Sequence, residues 1–149
     1  MSIRKRHIGA ACVGASLLGL AFAPSAQAYP IKLYDYTWQS HINNGSEGFQ
    51  SRRWEDSEYS EVLFGKCVGG SSVTVQMRMD VNNAPDKGYD KKTFTACYKP
   101  DWSQGEWYNL PNTSDNSSEY YFQLTDIGGA SSVDVTTVAV DTTACDDIC

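Results

Sequence analysis

From about residue 31 onward, the chain alternates apolar and polar positions in short runs, and clusters of Gly, Asn, Ser, Asp and Pro separate the runs. A period of two places successive side chains on opposite faces of a strand, so each such run predicts a strand with one dry and one wet face. The clearest is Ser72–Val81, where Val73, Val75, Met77, Met79 and Val81 alternate with Thr74, Gln76, Arg78 and Asp80. Glu119–Thr125 sets Tyr120, Phe122 and Leu124 against Tyr121, Gln123 and Thr125. Lys92–Tyr98 sets Phe94, Ala96 and Tyr98 against Thr93, Thr95 and Cys97. Glu61–Cys67 and Val133–Asp141 complete the stronger set; Ile31–Trp38, Phe49–Trp54 and Glu106–Leu110 are fainter. In Val133–Asp141 the valines change phase after Val135, which predicts a one-residue bulge near Thr136-Thr137.

The turn clusters are Asn43–Gly48, Gly69–Ser72, Asn82–Gly88, Lys99–Gly105, Pro111–Ser118 and Gly128–Ser132. Their glycines supply positive φ, their prolines a fixed φ, and their Asn and Asp side chains local hydrogen bonds. No run beyond the N-terminal segment has a helical period long enough for a stable helix. Alternation on nearly every strand implies antiparallel sheets, each with one wet face. Two such sheets packed on their dry faces make an all-β sandwich, of the jelly-roll or immunoglobulin-like kind, with an open-ended barrel as the rival architecture.

The N-terminus adds a compartment. Arg4, Lys5 and Arg6 precede an apolar, small-residue stretch from about Ile8 to Phe22; Pro24 follows, and then Ala26-Gln27-Ala28. These are the parts of a cleavable export signal, residues 1–28, and the stretch is too short and too rich in Gly and Ala for a spanning helix. Cys12 sits too early in it to be a lipid-attachment site. Removing 28 of the 149 residues leaves 121, enough for a single domain, 29–149, that is secreted and extracellular. The leader takes three of the twelve basic residues and none of the eighteen acidic ones, so the remainder carries a net charge of −9. Such a surface repels phosphate backbones and anionic lipid, which argues against a nucleic-acid partner.

Four cysteines remain, Cys67, Cys97, Cys145 and Cys149. An even count in a short exported chain reads as disulfides, and the preferred pairing is Cys67–Cys97 with Cys145–Cys149. A zinc site at Cys145-x-x-x-Cys149 lacks further soft ligands, because His41 is the one histidine past the leader.

Little of the familiar catalytic chemistry fits. No G-x-S-x-G elbow, H-E-x-x-H pair or phosphate-binding glycine loop occurs, and His41 lies in a polar segment before a turn. Paired carboxylates for glycoside hydrolysis are available in Glu55, Asp56, Glu58 and Glu61, flanked by Trp54 and Tyr59. Asp80, Asn82, Asp86 and Asp90, with Asn83, crowd oxygen donors into one loop and suggest calcium, although the spacing departs from the EF-hand pattern.

Aromatic residues are the more informative group. The chain retains four Trp and nine Tyr after the leader. Trp102, Trp107 and Tyr108 fall in or beside the Lys99–Gly105 loop, with Gln104, Asp101, Glu106 and Asn109 as hydrogen-bonding neighbours. Exposed indole and phenol rings stack on sugars and anchor protein partners. The expectation is therefore a non-enzymatic binding protein for carbohydrate or an extracellular protein, using Trp102, Gln104, Trp107 and Tyr108. The alternatives are an inhibitor or toxin-like effector that inserts Lys99–Glu106, and a small hydrolase using the carboxylates. Trp54 is expected in the core, with Arg52 and Arg53 facing out.

Overall fold

The computed structural model describes residues 36–115 and 117–143. The leader expected at 1–28, most of the faint strand expected at Ile31–Trp38, and the expected Cys145–Cys149 pairing lie outside them. Seven strands run in chain order: β1 (Trp38–Ser46), β2 (Glu58–Val68), β3 (Ser72–Val81), β4 (Lys87–Phe94), β5 (Trp102–Leu110), β6 (Ser118–Gly128) and β7 (Ser132–Asp141). They form two antiparallel sheets, β1-β7-β2-β5 and β4-β3-β6. The segment after β1 runs along the free side of β6 through bridges at Gln50 and Trp54, so the faint Phe49–Trp54 element is an irregular margin of the smaller sheet.

The two dry faces meet in one core. Val62, Phe64, Val133, Val135, Val138 and Val140 come from the larger sheet, and Val73, Val75, Met77, Phe122 and Leu124 from the smaller. Phe64 stands edge-on to both Phe94 and Phe122, with centroids 5.0 and 5.6 Å apart, an arrangement that aligns ring edges with ring faces. The expected all-β sandwich is the fold.

The bulge expected at Thr136-Thr137 is present. Ser40 faces Val138 while Ile42 faces Val135, so β7 carries one extra residue against β1. Against β2 the register stays even, from Phe64↔Val138 to Cys67↔Val135. Lys66 takes a φ of 63°, so β2 changes phase at the same level and Phe64 and Cys67 both face inward. The chain crosses between layers at Gly69-Gly70, where φ values of 96° and 84° and carbonyls 2.5 and 2.6 Å from an added Cβ demand glycine.

Three elements differ from expectation. β1 covers much of what reads as an Asn/Gly turn, because Ile42 and Gly45 pack against the other sheet across two register shifts. The Lys92–Tyr98 strand ends at Phe94 and gives way to a 3-10 turn at Ala96–Tyr98. That turn rolls Cys97 into the core, where it is bonded to Cys67 with an S–S distance of 2.06 Å and a Cα–Cα distance of 5.0 Å, and Ser103 accepts its backbone N–H. Tyr121, assigned to a wet face, is buried: Arg53 lies 4.5 Å over its ring, Arg78 donates to its hydroxyl, and that hydroxyl donates to Asp86.

Trp54 is a core residue as expected; Arg52 is exposed over the Trp38 ring, and Arg53 pairs with Asp80 at 2.7 Å.

Candidate functional site: the outer face of the four-stranded sheet

The chemistry-bearing side chains gather on the outer face of β1-β7-β2-β5. Along β5 the period of two turns Ser103, Gly105 and Trp107 inward and Trp102, Gln104, Glu106 and Tyr108 outward. Trp102 therefore opens a strand, and the turn before it is confined to Lys99–Asp101. The register carries the pattern across the sheet: Trp102 faces Gly65, Gln104 faces Leu63, Glu106 faces Glu61, and Tyr108 faces Tyr59. On the other side of β2, Gly65 faces Thr137, Leu63 faces Ala139, and Glu61 faces Asp141.

The two ends of this face are aromatic. At one, the six-membered ring of Trp102 covers Gly65, whose missing side chain leaves the space for it. A groove of about 380 Å³ runs beside the indole, between Lys66, Lys99, Pro100, Asp101 and Thr137. At the other end the rings of Tyr59 and Tyr108 lie 5.1 Å apart, inclined at 54°. A second groove, of about 480 Å³, opens there between these rings and Glu58, Asn109, Leu110 and Pro111. Tyr108 is 60% exposed. Six residues of strand, about 20 Å, separate Trp102 from Tyr108.

Between the aromatic ends lies a row of three carboxylates, Glu106, Glu61 and Asp141, one on each of three adjacent strands. Glu106 accepts from the Tyr59 hydroxyl at 2.9 Å, and Asp141 accepts from the Thr143 backbone and hydroxyl. Glu61 is 9% exposed and has no hydrogen-bond donor among the described residues. Burial, then the charges of Glu106 and Asp141, push its carboxyl up to about 7. Tyr36, just ahead of β1, is raised to about 12 by burial and by Glu61 and Asp141. Tyr59 is driven above the usual phenol range by burial, by Glu61 and by its bond to Glu106.

The sequence-predicted binding set divides. Trp102, Gln104 and Tyr108 share this outer face. Trp107 does not: it is 2% exposed in the core, and its indole N–H donates to the Asp90 carbonyl at 2.9 Å, so no ligand stacks on it. It lies five positions after Trp102, and an odd offset on a strand means the opposite face. The loop that an inhibitor would insert is largely strand β5.

The calcium donors have separate partners. Asp80 pairs with Arg53, Asp86 accepts from Tyr121, and Asp90 pairs with Lys92 at 2.9 Å, while Asn82 lines a shallow acidic groove with Glu55 and Glu119. Among the described residues no three Asp, Glu, His or Cys side chains form a metal-holding group.

The carboxylates grouped in the sequence also part company. Glu55 and Glu58 are exposed. Asp56 is buried at the sandwich end, where Ser60 and the Ser57 backbone donate to it, and burial raises it to about 6. His41 is exposed on β1. Of that group Glu61 alone joins the outer face, and its partners Glu106 and Asp141 come from distant strands. The missed members carried a partial signal in the shared parity of Tyr59 with Glu61 and of Glu106 with Tyr108. Which strands would pair was not in it.

The chain matches no protein-family model and no curated protein. Among the described residues no helix is long and apolar enough to cross a membrane.

Proposed function

We propose that this chain is an exported carbohydrate-binding module that holds an extended saccharide along strand β5, on the outer face of the four-stranded sheet. The observation that carries this reading is the Trp102 indole seated on Gly65, with Gln104, Glu106 and Tyr108 at alternate positions beyond it. An aromatic ring braced by backbone offers a flat apolar surface to the C–H face of a pyranose. The amide and carboxylates between the two aromatic ends provide acceptors and donors for sugar hydroxyls. The ring is already braced in the free protein, which lowers the ordering cost of binding.

Retention on immobilised polysaccharides, followed by calorimetry with soluble oligosaccharides, tests the reading. Trp102→Ala and Tyr108→Ala should each weaken binding at least about tenfold while the far-ultraviolet circular dichroism spectrum stays that of the parent. No retention on any polysaccharide, with Trp102→Ala indistinguishable from the parent, overturns it.

A further inference from the structure

We infer that a second binding site lies at the flank of the sandwich, between β1 and the margin that runs through Gln50 and Trp54, and that it takes a small branched aliphatic carboxylate. The site is separate from the outer face of β5 and does not depend on the carbohydrate reading.

β1 ends the larger sheet and the irregular margin ends the smaller one, so the two layers meet here without a regular strand pair between them. A cavity of about 80 Å³ lies in the gap. Ile42 of β1 and Val138 of β7 wall it on the side of the larger sheet, and Phe49 and Phe122 on the side of the smaller. Trp38 and Arg52 line it as well.

The last two carry donors that nothing accepts. Trp38 is 8% exposed, and its Nε1 is the one buried side-chain nitrogen or oxygen without a hydrogen-bond partner among the described residues. A donor taken out of water and left unmade is costly, and nearly all buried polar groups in folded proteins are paired. The Trp54 ring packs edge-on against this indole at 5.6 Å and fixes its position. Arg52 is exposed, and its guanidinium lies 5.1 Å over the Trp38 ring. Among the described residues it forms no ion pair and its side chain no hydrogen bond. Its neighbour Arg53 is committed to Asp80. Ser51, beside the cavity, is committed too: its hydroxyl donates to the Arg52 carbonyl and accepts from the Phe122 N–H.

A carboxylate answers both unmet donors. It has two acceptor oxygens and the charge opposite to a guanidinium, and charge-assisted bonds are the stronger kind. One oxygen takes the indole N–H. The other pairs with Arg52, which moves off the ring it covers in the free protein. Amines and metal cations are opposed by the same guanidinium.

The volume selects the body of the ligand. A dry cavity of roughly 150 Å³ accepts benzene, so about half that space takes a branched aliphatic group of about four carbons and excludes a ring. The apolar walls bury such a group without asking for a polar partner.

The test uses 3-methylbutanoate as the probe. Its amide keeps the body and loses the charge; acetate keeps the charge and loses the body. Affinity is read by calorimetry at constant ionic strength, and by the urea midpoint, which a ligand that binds the folded chain alone raises. The branched acid should bind at least about tenfold more tightly than either control. Arg52→Gln, at an exposed position, should bring its affinity down to that of the amide. Trp38→Phe keeps an aromatic wall and removes the N–H, and should weaken binding about fivefold. An urea midpoint unmoved by roughly 50 mM acid, equal affinity for acid and amide, or full affinity in Arg52→Gln overturns the inference.

Discussion

Trp102 and Gly65 face each other across the β5–β2 pair, and a methyl group on Gly65 would come within 2.8 Å of ring carbons Cη2 and Cζ3. The glycine is the seat of the indole. Gly65→Ala should displace the ring and weaken saccharide binding about tenfold, as Trp102→Ala does, without removing the aromatic residue. The crowding should lower stability by about 1–3 kcal/mol. Oligosaccharide calorimetry and urea unfolding read the two effects separately. Unchanged affinity in Gly65→Ala would show that the placement of the ring is immaterial.

The carboxylate row makes stability fall with pH. Glu61 titrates near 7 in the folded chain against an ordinary value of 4.5, so the folded state holds its proton more tightly than the unfolded state does. The fold is therefore favoured below about pH 4.5. It loses that advantage as pH rises through the window up to about 7, by no more than roughly 3 kcal/mol. Glu61→Gln should raise the urea midpoint at pH 8 and change it little at pH 5. Equal shifts at both values would disconnect the effect from Glu61 ionisation.

How much of this was legible varies strand by strand. The pattern at Ser72–Val81 was complete because β3 is the central strand of its sheet, paired on both sides, with Val73, Val75 and Met77 pointing straight into the core. β1 was hidden because its inward residues Trp38, Ile42 and Gly45 are spaced by register shifts, and Asn43-Asn44-Gly45 carries strong turn chemistry. The start of β5 was obscured by Pro100 and Gly105. Gly105 marks close packing, since its vacant side-chain space is filled by Phe94 and Trp107. The aromatic members of the site were visible as residue types. The acidic row was not, because Glu61, Glu106 and Asp141 meet through strand pairings that no local period encodes.

The Cys67–Cys97 bridge ties β2 to the 3-10 turn that leads back from the smaller sheet. It closes a loop with a sequence separation of 30. The chain-entropy relation assigns such a loop about 3–4 kcal/mol. Replacing both cysteines with alanine should cost about that much in urea unfolding, with the m-value rising as the unfolded chain expands. Since Cys97 is a core residue, part of the loss is lost packing. Reducing the parent protein without mutation separates the two contributions.

At the sandwich end near Pro111, Ser60 serves two partners with one hydroxyl: it accepts from Trp54 Nε1 at 3.1 Å and donates to Asp56. Asp56 in turn holds the 111–113 segment, through its backbone N–H to Thr113 Oγ1 and its carbonyl to the Thr113 N–H, each at 2.9 Å. Ser60→Ala removes the hydroxyl that accepts from the Trp54 indole N–H, at a cost of about 1 kcal/mol. It also removes a donor that favours the Asp56 carboxylate, which already titrates at about 6 because of burial. The folded-state value should rise further. The carboxylate form then becomes harder to hold, so the penalty of the substitution should be larger at pH 8, where Asp56 is ionised, than at pH 5, where it is mostly protonated in both proteins. Unfolding followed by tryptophan fluorescence at the two pH values measures this difference. A penalty that is the same at both would mean that Ser60 acts on Trp54 alone.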